Sequence, residues 1–420
     1  LSRPSCAEIA AGPLAAAPAL GVYVHFPFCS VRCPYCDFAV DVRGEIPHER
    51  YAEAVVREIE ARAPWFRAGR EAEAEGVGEG PALVSIYFGG GTPGLWQPEA
   101  LARVIAAARD AFGAAAAPLE ITVEANPGEV DEAHLRALRR AGVSRVSLGL
   151  QATEDRLLRA IGRNHDAAAG PTAVRAARAA GIDNVSIDLM FGLPGQTEDD
   201  WRHTVDEALA LEPEHVSAYA LTVERGTVFG ARARRGELPL PGDEPVAAMQ
   251  RFVRDALAAH GLGQYEVSSY ARPGRRAVHN TLYWTGAPYL GVGASAASFR
   301  PLADGTGWRF TNPRATDTYL EAVASDGDGD GGGCGPVPAQ AERRRRADLE
   351  NEAVWLALRT TDGLDRAAHA ARFGADPLAG REPAVRRCAE LGWLAITADR
   401  IRPTPEGLLY ADDVAARLWR

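Results

Sequence analysis

The chain has 420 residues, 46% hydrophobic and 24% charged, with a formal net charge of −10. This suits a soluble globular chain of two or three domains, or one large barrel with an appendage, and its acidity argues against nucleic acid as the main partner. All 46 basic residues are arginine, which excludes a Schiff-base lysine, a P-loop and a kinase-type lysine.

Residues 1–20 are rich in Ala and Pro, lack the apolar core of a signal peptide, and are expected to be a disordered tail. From residue 21 a rhythm sets in. Short apolar runs at 21–28, 83–91, 120–127, 144–151, 184–194 and 215–224 read as strands. Helical periodicity fills 48–63, 97–112, 131–141, 153–160, 167–180 and 198–211 between them. Alternating strands and helices imply parallel βα units, and near-continuous apolar strands imply a sheet covered on both faces or closed as a barrel. A complete barrel takes eight units. Residues 21–235 are therefore expected to form an α/β domain, a partial (β/α)6 TIM-like barrel open on one side.

The rhythm breaks in 236–324, which reads as a barrel extension, with a helix at 246–260 and short strands and turns at 263–271 and 290–299. The GVGASA run at 291–296 is read as close packing rather than dinucleotide binding, because no βαβ unit follows it. Residues 325–346 hold SDGDGDGGGCG and ERRRR and are expected to be a flexible linker. In 347–420, helices at 348–360, 364–373 and 381–391, a hairpin near 393–403 and a last helix from 405 suggest a mostly helical, winged-helix-like module with a packing or lid role. No apolar run is long enough to span a membrane, and a cytoplasmic protein is expected.

Six cysteines are present: Cys6, Cys29, Cys33, Cys36, Cys334 and Cys388. Three form Cys29-Ser-Val-Arg-Cys33-Pro-Tyr-Cys36, directly after the first strand. A disulfide framework belongs to small secreted chains. Three thiolates on one loop suit an iron–sulfur cube, whose four irons take four ligands, with one iron left open. A zinc site is the alternative and wants a fourth local Cys or His; inert thiols are the third. Gly89-Gly90-Gly91-Thr92-Pro93 ends the second strand, where glycine lets a backbone approach a ligand closely; an ordinary turn is the other reading. Glu124, Gln151, Arg163 and Asp188 fall at or after strands three to five, on the C-terminal face where barrel sites lie. Each alone is equally readable as a helix cap or a surface ion-pair member.

A cysteine loop with one open iron at the start of a βα barrel resembles the radical S-adenosylmethionine (SAM) superfamily. That resemblance implies a [4Fe–4S] cluster on Cys29, Cys33 and Cys36, SAM bound to the open iron, an electron donor, and one-electron cleavage to a 5′-deoxyadenosyl radical. Matched position by position, it implies SAM contacts at Tyr23, Gly90, Gly91, Thr92, Glu124, Gln151, Arg163 and Asp188, with Tyr35 against the adenine. No catalytic residue is assigned.

Across about residues 20–420, YVHFPFC, the cysteine loop, GGGTP, EANPG, GLQ, DLMFGLPGQT and the C-terminal module are similar to one subgroup. It holds oxygen-independent coproporphyrinogen III dehydrogenases and heme chaperones. The dehydrogenases carry a further cysteine two places after the third; here that place is Phe38. The chaperones carry HNxxYW; here it reads His279-Asn280-Thr281-Leu282-Tyr283-Trp284. The dehydrogenases also use an N-terminal extension, for which the first twenty residues are too short. The chaperone branch implies a protein that binds heme and passes it to an acceptor protein. His279 is then a candidate axial ligand or a buried core histidine, and Arg275 and Arg276 are partners for heme propionates or solvated charges. The other branch implies radical decarboxylation of coproporphyrinogen III.

Overall fold

The computed structural model describes residues 4–67, 80–113, 118–325, 336 and 338–420. Six parallel strands form the centre: β1 (Ala19–Phe26), β2 (Ala82–Gly90), β3 (Glu120–Ala125), β4 (Arg145–Gln151), β5 (Val185–Phe191) and β6 (His215–Ala220), adjacent in that order. The intervening helices include α2 (His48–Arg62), α3 (Pro98–Phe112), α4 (Glu132–Ala141), α5 (Asp155–Ala160), α6 (Ala169–Ala179) and α7 (Glu198–Ala210). α3 shows why they pack outside. It buries Ala100, Leu101, Val104, Ile105 and Ala108, one helical stripe laid on the sheet. The expected strands and helices of the barrel agree with these to within a few residues.

β4 shows how the sheet makes an interior. All seven of its residues are buried. Val146, Leu148 and Leu150 join the apolar core under the helices, while Arg145, Ser147, Gly149 and Gln151 line a central cavity. Period-two alternation thus separates two buried faces, one oily and one polar.

The sheet extends beyond the six units. β9 (Tyr289–Val292) lies parallel beside β1, followed by antiparallel β10 (Ala297–Pro301), β11 (Gly307–Thr311) and β12 (Gln340–Arg344). The hairpin β7 (Gly263–Gln264) and β8 (Ser269–Ala271) continues the other edge next to β6, so the sheet runs from β12 to β7 without closing. The extension is locked by a buried ion pair within α2. Glu58 and Arg62 are both fully buried and paired. Glu58 also accepts from Gly293 N–H (2.9 Å), Asn312 Nδ2 (2.7 Å) and the Tyr319 hydroxyl (2.8 Å). Such a pair is tolerated because its lone pairs are filled. In the GVGASA segment, a Cβ on Gly291 would stand 2.0 Å from the Ala297 carbonyl oxygen, in keeping with close packing.

Two expectations differ from the structure. The tail is not detached: α1 (Cys6–Ala10) carries a Ser5–Glu8 capping box, and Ile9 is fully buried. Buried Arg300 donates to the carbonyls of Ile9 (3.3 Å), Ala11 (3.1 Å) and Gly12 (2.5 Å), which ties residues 9–12 down. Composition conceals this, because the acceptors are backbone groups and their donor lies nearly three hundred residues away. The linker, in turn, contains β12, whose Gln340–Arg344 pair with β11; the rest of its low-complexity run, Cys334 included, lies outside the described residues.

The C-terminal module has α12 (Arg346–Ala357), α13 (Arg366–Phe373), α14 (Glu382–Glu390) and α15 (Ala411–Leu418) around a small sheet of β13 (Leu364–Asp365), β15 (Arg400–Pro403) and β14 (Leu394–Ile396). It has an apolar core of its own, including Val354, Leu358, Val385 and Ile401. Helices with a two-stranded wing match the winged-helix-like expectation.

Candidate functional site

The cysteine loop leaves β1 at Pro27 and is pinned at several points. Cys29 N–H donates to the Asp41 carbonyl (3.1 Å), and Asp41 N–H donates to the Pro27 carbonyl (2.8 Å), so the loop ends are zipped together. Phe229 N–H, at the start of α8 (Val228–Arg234), donates to the Pro34 carbonyl (3.0 Å). From the opposite wall, the Thr92 hydroxyl donates to Cys29 Sγ (3.4 Å), and Arg163 Nη1 stands 3.9 Å from Cys33 Sγ. Burial pushes the Cys29 thiol up to about 11 and raises that of Cys36. These thiols need a positive partner to ionise, which a bound iron would supply.

The loop roofs a cavity of about 320 Å³ at the C-terminal ends of β2–β6. Cys29, Cys33 and Cys36 line it, as do the expected residues Tyr35, Gly90, Gly91, Thr92, Glu124, Gln151, Arg163 and Asp188. Tyr23 is the exception. It lines a neighbouring cavity with His25, Phe38, Tyr283 and Arg314, and its hydroxyl is 3.1 Å from His25 Nδ1. Among the described residues, no three His, Cys, Asp or Glu side chains converge on a single ion. Three cysteines with no histidine among the lining residues suit an iron–sulfur cube with one open iron better than a tetrahedral zinc.

The cavity walls are polar and charged. Glu124 accepts from the Tyr87 hydroxyl (2.6 Å) and Gly90 N–H (3.2 Å), yet burial pushes it up to about 7. Burial also raises Asp188, although the Ser147 hydroxyl donates to it at 3.2 Å. Arg163 Nη2 donates to Asn126 Oδ1 (2.5 Å) and the Gly149 carbonyl (2.7 Å). Gln151 has a left-handed φ of 66° where the β4–β5 register slips, and its Oε1 accepts from the Tyr219 hydroxyl (2.9 Å). A buried non-glycine residue in that conformation is held there at a cost.

Arg145 is a site residue that sequence reasoning missed. It is 2% exposed and lines the cavity. Among the described residues its Nε has no hydrogen-bond partner, and its charge opposes the upward push of burial on both Glu124 and Asp188. An arginine opening an otherwise apolar strand was the available signal.

The glycines also serve the packing of the loop. A Cβ on Gly91 would stand 2.6 Å from the Phe28 carbonyl oxygen and 2.7 Å from the Pro27 carbonyl. One on Gly90, at φ +112°, would stand 2.5 Å from the His25 ring. Packing of the cysteine loop against β2 therefore already requires glycine here, before any ligand is considered.

The HNTLYW segment forms α10 (Val278–Thr285) and fans out in several directions. His279 is 1% exposed, 2.9 Å from both Ser85 Oγ and the Tyr283 hydroxyl, and stacked on Tyr87. Burial pushes it down to about 3. Both ring nitrogens are engaged by these hydroxyls, the arrangement of a buried core histidine. Asn280 reaches the central cavity, Tyr283 lines the neighbouring one, and Trp284 lies under Arg359 of the C-terminal module. Arg276 pairs with Asp362 of that module (2.6 Å).

Comparison with known proteins agrees with this layout. Residues 23–208 match the Radical SAM superfamily and residues 346–410 the HemN C-terminal domain. The chain is 34% identical to the heme chaperone HemW of Bacillus subtilis, covering 93% of this chain and 97% of the relative. It is 36% identical to that of Mycobacterium tuberculosis, covering 95% and 94%. In fold it is similar to coproporphyrinogen III oxidase (HemN) from Escherichia coli, with a TM-score of 0.77 over 96% of this chain and 90% of that one, at 22% identity.

Proposed function

The chain belongs to the HemW family within the radical SAM superfamily, and from that premise we propose that it is a heme chaperone: it binds heme and hands it to an acceptor protein, carrying a [4Fe–4S] cluster and SAM. The observation that carries this reading is the cavity itself, where three thiols and no fourth Cys or His meet eight of the nine expected SAM contacts.

Cys29, Cys33 and Cys36 would hold the cluster, and an external donor would reduce it. When bound, cluster and SAM supply one-electron chemistry at a sulfonium. The chain's own residues do the positioning. Glu124 and Asp188 offer carboxylate acceptors for ribose hydroxyls. Arg163 is a half-buried cation for a carboxylate, and Tyr35 is an aromatic wall. A cavity of about 320 Å³ is at the low end for one drug-sized ligand. Among the described residues no helix is long and apolar enough to cross a membrane. Cys29, Cys33, Cys36 and Cys388 are free thiols, which fits a reducing compartment and supports a cytoplasmic location.

The reading is tested by loading the reconstituted protein with one heme per chain and mixing it with a heme-free cytochrome. Transfer of the Soret absorbance to the cytochrome is expected. A protein that takes up no heme, or releases it only to solvent, overturns the proposal.

A further inference from the structure

Two further cavities, of about 340 and 490 Å³, lie on the outer side of the cysteine loop. Phe38 lines both of these and the central cavity. The loop buries Phe26 and Phe28 completely, yet leaves Phe38 65% exposed, with Val31 and Val42 also exposed. A lone exposed apolar residue needs no explanation, but an aromatic shared by three cavities marks a surface shaped for a ligand.

The groove around it has matching chemistry. Tyr23, Tyr283 and Tyr289 line its inner wall. The Tyr283 ring is held in place by the His279 contact at 2.9 Å and by an edge-on contact with Tyr289. Arg32 and Arg314 border the outer side and are exposed. Arg314 donates to the Asp37 backbone carbonyl (2.7 Å). Among the described residues neither arginine is paired with a carboxylate. Arg43, the third arginine of the groove, is taken by Asp41 (2.7 Å) and Asp317 (2.9 Å). The carboxylate of Asp37 lies toward Gly226, 3.6 Å from where a Cβ there would stand.

We propose that this outer groove, centred on Phe38 and bounded by Tyr283 and Arg314, is the docking face for the heme macrocycle, with Arg32 and Arg314 pairing its two propionates. The inference rests on the heme-chaperone reading and gives it a place. A flat apolar ring stacks on aromatic side chains. Guanidinium groups match carboxylates in geometry as well as charge. The face is open, as a ligand that must be handed on requires, and it shares Phe38 with the cavity beneath the cysteine loop.

The test titrates the reconstituted protein with hemin and, separately, with hemin dimethyl ester, followed by Soret absorbance. Phe38→Asp and Arg314→Ala are each expected to weaken hemin binding at least tenfold while iron content is unchanged. The ester should bind the unaltered protein more weakly than hemin, and Arg314→Ala should narrow that gap. Unchanged hemin affinity in either variant, or an ester that binds the unaltered protein as tightly as the acid, overturns the groove and leaves the chaperone reading standing. No hemin uptake by the unaltered protein overturns both.

Discussion

The Tyr87 hydroxyl donates a 2.6 Å hydrogen bond to Glu124 Oε1 in the wall of the central cavity. That bond favours the ionised form, and burial opposes it more strongly. The carboxyl group therefore sits near 7 instead of its ordinary 4.5.

A stability change with pH follows from this. Below the unfolded pKa both states carry the proton, and Glu124 costs nothing. As pH rises through the folded value of about 7, the native state must hold a buried charge that the unfolded state holds freely, so stability falls. Each pKa unit is about 1.4 kcal/mol, giving a penalty of up to about 3 kcal/mol above pH 8. Glu124→Gln removes the titration. The variant's unfolding free energy relative to the unaltered protein should move in its favour by that order between pH 4 and pH 8, read by denaturant melts of the apo protein. A pH-independent difference would contradict the burial argument.

Arg145 lowers both Glu124 and Asp188. Replacing it with Met should raise both. If these acids accept from the ribose, the pH at which SAM binding is half-maximal should rise correspondingly, measured by equilibrium dialysis against labelled SAM. An unshifted profile would remove Arg145 from the site's electrostatics.

Gly91→Ala forces a Cβ to within 2.6 Å of the Phe28 carbonyl oxygen. Overpacking of this kind costs about 1–3 kcal/mol. The loss should appear in thermal melts of the protein without cluster or SAM. A variant that melts normally but fails to bind SAM would return Gly91 to the ligand-approach role expected from sequence.

His279 supports Tyr283 from behind. His279→Ala should destabilise the fold by about 2–4 kcal/mol through a cavity and lost hydrogen bonds. It should weaken heme binding through Tyr283 while leaving the Soret maximum where it was. A displaced Soret band would identify His279 as an axial ligand instead.

The barrel was legible because its signal is local. Each strand is a short apolar run, each helix a stripe, and CxxxCxxC, GGGTP, Glu124, Gln151, Arg163 and Asp188 stand at strand ends where the topology gathers them. What escaped depends on distant partners. Arg300 fixes the tail through backbone carbonyls, and β12 pairs across a run of Gly and Asp that looks like a linker. Period two puts Tyr23 on the same face of β1 as His25, and both line the cavity beside the central one. His279 was undecidable from sequence, because only the fold shows that Ser85 and Tyr283 occupy both its nitrogens.

The cluster assignment depends on three thiols alone. Cys29→Ala, Cys33→Ala and Cys36→Ala should each abolish the iron–sulfur chromophore after anaerobic reconstitution, while Cys6→Ala and Cys388→Ala should leave iron and sulfide content intact. A chromophore that survives Cys33→Ala, or one zinc per chain without iron, would refute it.

The central claim is heme handling without porphyrin chemistry, and product analysis tests it most directly. Reduced, reconstituted protein is incubated anaerobically with SAM and coproporphyrinogen III, in parallel with hemin, and the tetrapyrroles are separated by chromatography. The account predicts one bound heme per chain and coproporphyrinogen III recovered unchanged. Protoporphyrinogen IX, formed as SAM is consumed in proportion, would contradict it and make the protein a dehydrogenase.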